Sequence, residues 1–91
     1  MTRISAIAEL DALLARVLGI AIDVVQEKVD PYEGARALWD LSSALPDLPH
    51  MLLPFVGLAS EWERDGDAAH RQEYERRIVV EMDRLRRRMH G

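Results

Sequence analysis

An all-α fold, a compact antiparallel bundle of four helices forming a single domain over residues 1–91, is predicted by three observations. Apolar residues recur at steps of three and four in four successive segments, and nowhere alternate as a half-buried strand would. Prolines and one Asp-Gly-Asp break separate those segments by short connections, which favours antiparallel neighbours. The chain is 48% hydrophobic with only five aromatic residues, so its core must be built from Leu, Ile, Val, Ala and Met.

The first helix is expected over about Ser5 to Lys28. Ile7, Leu10, Leu14, Val17, Leu18, Ala21, Val24 and Val25 cover one broad face, and Glu9, Arg16, Asp23 and Glu27 line up opposite. Asp11 falls inside the apolar arc, where a first-turn acid also suits the helix dipole. Ile20 falls within the polar stripe and reads as a stray exposed apolar residue.

Asp30-Pro31-Tyr32-Glu33 opens the second helix. Asp30 can accept from first-turn amides, Pro31 sits where no donor is needed, and Glu33 occupies the reciprocal capping-box position. Tyr32, Ala35, Leu38, Trp39 and Ser42 follow at helical spacing, and Pro46 sets an end near Ser43 or Ala44. Leu45 to Leu53, with Pro46 and Pro49, reads as a turn. Pro54 then starts a third helix running to about Arg64, with Phe55, Leu58, Ala59 and Trp62 on its buried side. Gly57 either admits a neighbouring backbone or merely weakens that helix. In Asp65-Gly66-Asp67, Gly66 is expected as a left-handed cap and Asp67 as the next N-cap. The fourth helix, about Ala68 to Met89, carries a narrow seam of Tyr74, Ile78, Met82, Leu85 and Met89. Glu73–Arg77 and Asp83–Arg87 lace its outer surface.

Composition excludes several functions. With no cysteine there is no disulfide scaffold, thiol catalysis or thiolate zinc site. The most apolar stretch, Val17 to Ile22, is far short of the roughly twenty residues a membrane span needs. Met1-Thr2-Arg3 leads straight into an amphipathic pattern without a cleavage site, so the cytoplasm is the expected address. His50, His70 and His90 are isolated from one another, and no serine has a nucleophile-elbow context. The five glycines are too scattered for a phosphate loop. No catalytic, cofactor-binding or metal-binding residue is assigned, and no enzyme activity or cofactor is expected. Residues 61–67 approach a calcium loop, but Glu61 stands at its first position and Gln72 at its twelfth, where a bidentate Glu is required.

Charge is uneven. The net charge is −4, yet residues 1–67 hold twelve acids against five bases and residues 68–91 seven arginines against four acids. Arg84-Leu85-Arg86-Arg87-Arg88 is the one nucleic-acid candidate. It lacks interleaved aromatics in an acidic chain, and cations at a helix C-terminus are accounted for by the dipole. Trp39 and Trp62 are large enough to anchor a partner, though both sit on apolar faces where a core role is favoured.

Asp30-Pro31-Tyr32-Glu33-Gly34-Ala35-Arg36-Ala37-Leu38-Trp39 and Phe55-Val56-Gly57-Leu58-Ala59-Ser60-Glu61 together resemble a pattern in small uncharacterised bacterial helical proteins, some of which look like immunity proteins of bacterial toxin systems. The resemblance covers about residues 29–64 and carries no catalytic residues. It implies structural roles for Glu33, Gly34, Arg36, Ser60 and Glu61, with Arg36 pairing with Glu61 between helices.

The expected function is therefore a non-enzymatic intracellular protein–protein interaction module, in its sharpest form an immunity protein covering a toxin's basic site. Glu61, Glu63, Asp65 and Asp67 are the expected acidic patch, joined by Asp40 and Asp47 if the second and third helices are adjacent. One alternative is a structural or regulatory homo-oligomer, pairing as a dimer through Leu13 and Ile20 on the first helix. A second is a nucleic-acid binder using the last helix.

Overall fold

The computed structural model describes the backbone of residues 2–43 and 52–90, and the side chains of 12–43 and 52–89. Four helices make up the bundle: α1 (Thr2–Val25), α2 (Pro31–Ser43), α3 (Leu53–Arg64) and α4 (Ala68–His90). The chain is all-α, with α1 packed on α4 and α2, and α3 packed on α2 and α4; α1 and α3 scarcely meet. Asp11 and the connection at 44–51 lie outside the described side chains and residues.

α1 starts earlier than its periodicity suggests and stops three residues sooner. Its end is a left-handed cap: the amide of Lys28 donates to the Asp23 carbonyl at 2.8 Å and that of Glu27 to Val24 at 3.1 Å, with Glu27 at φ 62°. This hydrogen-bond pattern closes a helix by turning one residue left-handed, a position usually given to glycine. Here Glu27 holds it. Three residues on, the Glu33 amide donates to Asp30 Oδ2 at 3.2 Å and the Gly34 amide to the Asp30 carbonyl at 2.9 Å, so Asp30 caps α2 as its sequence implies.

Gly34 explains how closely these two helices cross. A Cβ added there would overlap Val24 Cγ2 and stand 3.4 Å from the Met82 terminal methyl. Only a residue without a side chain lets α2 approach α1 and α4 together. The same approach covers Ile20, whose Cγ2 lies 3.7 Å from that position, so Ile20 packs against the core instead of standing exposed. The helical wheel misplaces it because the wheel assumes a fixed width of cover, and Gly34 widens it.

The core is one cluster. α1 contributes Val17, Ala21 and Val24; α2 Ala35 and Leu38; Leu52 and α3 Phe55 and Ala59; and α4 Ile78, Met82 and Leu85. The α4 seam is buried at its centre, with Tyr74 and Met89 half-buried at its ends. Ser42, on the buried face of α2, satisfies its hydroxyl by donating to the Trp39 carbonyl at 2.6 Å. Val24 and Val25 lie beside Val79 at one level, and Leu14 and Leu18 beside Arg88 and Met89 at another. That register runs α1 and α4 antiparallel and staggered. It is why the molecule is 51 Å long although neither helix exceeds about 36 Å at 1.5 Å per residue.

Candidate interaction surface

Three helix ends meet where α2 begins, α3 ends and α4 begins, and their side chains interlock. The Tyr32 ring stacks on Trp62 at 3.9 Å between centroids with 18° between planes. The Arg71 guanidinium lies 4.1 Å from the same indole, and Trp62 Nε1 donates to Glu75 Oε2 at 3.1 Å. Arg71 Nε also donates to the carbonyls of Trp62, at 3.0 Å, and Asp65, at 2.7 Å, closing the exposed end of α3. Trp62 thus joins three helices, which is a structural use of its aromatic surface. Burial, reinforced by Glu63 nearby, raises the Tyr32 hydroxyl pKa above its usual 10.0.

The Asp65–Asp67 break is held by a polar staple that its sequence spacing conceals. Asp67 caps α4, accepting from the amides of Ala69 at 2.8 Å and His70 at 3.3 Å. Asp65 accepts from the Asp67 amide at 3.0 Å, and its other oxygen meets His70 Nδ1 at 2.8 Å and the Tyr74 hydroxyl at 3.1 Å. The Asp67 amide, then the His70 bond, hold the Asp65 carboxyl below 3.8. The bond from Asp65 lifts His70 above 6.5 and, on its other partner, lifts Tyr74 above 10.0. Gly66 is not left-handed: no glycine among the described residues has positive φ, and Asp65 leaves the helix extended, at φ −94° and ψ 117°. The staple closes the turn, so no left-handed residue is required.

The residues of the expected acidic patch take different structural parts. Glu61 and Glu63 are exposed at the end of α3, with Glu61 3.7 Å from Arg64. Asp65 and Asp67 are engaged as staple and cap. Asp40 does not join them, although α2 and α3 are adjacent. The Tyr32–Trp62 stack places it eight residues, about 12 Å, along α2 from that end, and Arg36 pairs with it at 3.5 Å. Asp47 lies outside the described residues. The Arg36–Glu61 pair is not formed; Arg36 stays on its own helix, 4.2 Å over the Trp39 ring. Leu13 is half-buried, and Ile20 is half-buried against the core, so neither of the residues expected to pair through α1 stands fully exposed. In the Arg-rich segment, Arg84 pairs with Glu81 at 2.9 Å, and Arg86 and Arg87 with Asp83 at 2.7 and 3.1 Å. Three of the four cations are thus matched by acids of the same helix, and the Arg86 bond draws the Asp83 carboxyl below 3.8.

Sequence reading missed the groove between α3 and α4. It has a volume of about 630 Å³, with Pro54, Gly57, Leu58 and Val80 forming its apolar part and Glu61, Glu73, Arg76, Arg77, Glu81 and Arg84 its charged rim. Leu53 and Val80, exposed to 48% and 46%, are the exposed large hydrophobic residues of the described chain, and Leu53 adjoins Pro54 at one end of the groove. A signal was available, since two residues at 100° each place Val80 on the far side of α4 from Ile78 in the seam. Gly57 faces open space: no atom lies within 4 Å of the place a methyl would occupy there. Among the described residues it admits no neighbouring backbone.

No helix among the described residues is long and apolar enough to cross a membrane. Comparisons with protein-family models, curated proteins and solved structures each find no match to this chain.

Proposed function

We propose that the chain is a non-enzymatic protein–protein interaction module whose contact face is formed by α3 and α4. The observation carrying this reading is that Val80, an exposed large apolar side chain, lines one open groove rimmed by charges, with exposed Leu53 next in sequence to Pro54 of its lining. Burying such a patch favours association, while the rim sets orientation.

Neutralisation of a basic toxin is the narrower form. It draws support from the exposed Glu33, Glu61 and Glu63 around the joined helix ends, while Arg84 to Arg88 lie toward the far end of α4. Such an axial separation of charge orients an approaching cationic surface. A photo-crosslinking residue placed at Val80 or Glu63 in the producing cell tests both forms. Protein adducts at those positions, and none from exposed Ala12 on α1, are expected; a basic partner captured at Glu63 supports neutralisation. Absence of adducts at both Val80 and Glu63 overturns the reading.

A further inference from the structure

The charges along the α3–α4 groove have an order that favours one occupant. The α4 residues lining it run Glu73, Arg76, Arg77, Val80, Glu81, Arg84. Turned end for end about a point near Val79, this row inverts its charges: Glu73 comes level with Arg84, and Arg77 with Glu81. Each helical residue advances 1.5 Å, and the two matches share a centre to within half a residue. Successive members of the row also fall on one side of α4, as their common groove requires. A contact about a two-fold axis places the same patch on both partners in opposite directions. We propose that the occupant of this groove is a second copy of the chain, its α4 laid antiparallel against the first.

The match is specific to that arrangement. Three acids and three arginines rim the groove, so it offers no net charge to recruit a purely acidic or purely basic partner. In the antiparallel pair, Glu73 of each copy meets Arg84 of the other, and Arg77 meets Glu81, with Val80 near the centre. In the single chain Glu73 is 3.4 Å from Arg76 and 3.5 Å from Arg77, and Glu81 is 2.9 Å from Arg84. The arginines of these pairs are exposed and the glutamates half-exposed, so these surface pairs can be exchanged for pairs across the axis by rotamer changes. Gly57 supplies a second, independent observation. A glycine inside a helix weakens it, and among the described residues no packing uses the space it leaves. It lies on the groove, where a missing side chain lets the facing helix come close to α3.

This inference deepens the interaction-module reading by naming the partner, and its test separates the two. Sedimentation equilibrium of the full chain, from micromolar to millimolar concentration, should show a dimer of twice 10.4 kDa. Raising salt from about 50 mM to about 0.5 M should weaken it several-fold, because rim pairs between exposed charges are screened. Gly57→Leu fills the groove at an open position and improves the helix, so it should retain its fold and weaken the dimer at least ten-fold. Glu73→Arg should do the same, and Glu73→Arg with Arg84→Glu should restore dimerisation, with helicity followed by circular dichroism. Because the chain has no cysteine, Val80→Cys should give one disulfide-linked dimer on mild oxidation. A parent chain still monomeric at millimolar concentration in low salt overturns the inference, as does a dimer indifferent to Gly57→Leu and Glu73→Arg. If such a monomer still yields adducts to a different protein at position 80, the interaction reading stands and only the second-copy inference fails.

Discussion

The two described corners of the bundle do the same work by opposite means. At the α1–α2 corner the backbone closes on itself at Glu27, Asp30 makes one side-chain cap bond, and the helices cross so closely at Gly34 that a Cβ there would overlap Val24. At the α3–α4 corner nothing crowds Gly66, and Asp65, Asp67, His70, Arg71 and Tyr74 hold the turn through hydrogen bonds. The first corner joins a backbone cap to a tight apolar crossing that leaves no room for a methyl at position 34. The second is defined by charge and should answer to pH.

Gly34→Ala probes the first corner and should have the largest effect. The new methyl would overlap buried Val24, a β-branched side chain with little rotamer freedom, and overpacking of this kind costs about 1–3 kcal/mol. A gain of up to about 1 kcal/mol in helix propensity offsets part of it. Chemical denaturation should show a net loss; unchanged stability would mean that the crossing is looser than these contacts.

Capping compares the corners directly. Asp67→Ala removes two bonds and Asp30→Ala one, so both should destabilise within about 0.5–2 kcal/mol, with Asp67→Ala the larger loss. The reverse order in thermal melts would place the weight on the first corner's cap after all. Glu27→Gly should stabilise the first corner by about 1 kcal/mol, because a left-handed backbone strains any residue with a Cβ. A melting temperature that fails to rise would indicate that Glu27 contributes through its side chain.

The pH response should be the smallest effect, since the staple is solvent-exposed. His70 is raised above 6.5, so its contribution is complete below that value and is lost as pH climbs through the higher folded-state value. Asp65 is lowered, so its contribution is complete above 3.8 and is lost as pH falls through the lower folded-state value. The staple is therefore strongest between about 3.8 and 6.5. His70→Ala should reduce the melting temperature most in that window and least in alkaline buffer. A difference independent of pH would mean that the ion pair does not hold the corner.

Legibility in the sequence followed the distance between interacting residues. The caps at Asp30 and Asp67 were readable because donor and acceptor lie within three residues, and α2, α3 and α4 end close to where prolines and caps place them. The partial cover of Ile20 is not readable, since it depends on how near α2 comes, and that is set by one glycine fourteen residues away. Asp65–His70 crosses from an extended residue into a new helix, a spacing no helical or turn template contains. The Tyr32–Trp62 stack and the α3–α4 groove need the relative placement of helices, which periodicity within each one does not supply. Of the expected acidic residues, Glu61, Glu63 and Asp67 stand exposed, while Asp65 and Asp67 also hold the α3–α4 turn, a use that charge patterning does not announce.

The stagger of α1 on α4 also bears on how the chain is made. α1 leaves the ribosome before the other described helices, yet its longest neighbour begins at Ala68, more than forty residues later. At about 5–20 residues per second, that interval is roughly 2–9 seconds. During it, Val17, Ala21 and Val24 have only α2 to shelter them, and the fit at Gly34 is the part of the native contact that can form before α4 arrives. The nascent helix would then be at its most aggregation-prone early in translation, and a methyl at position 34 would lower the yield of folded protein beyond what its equilibrium cost implies.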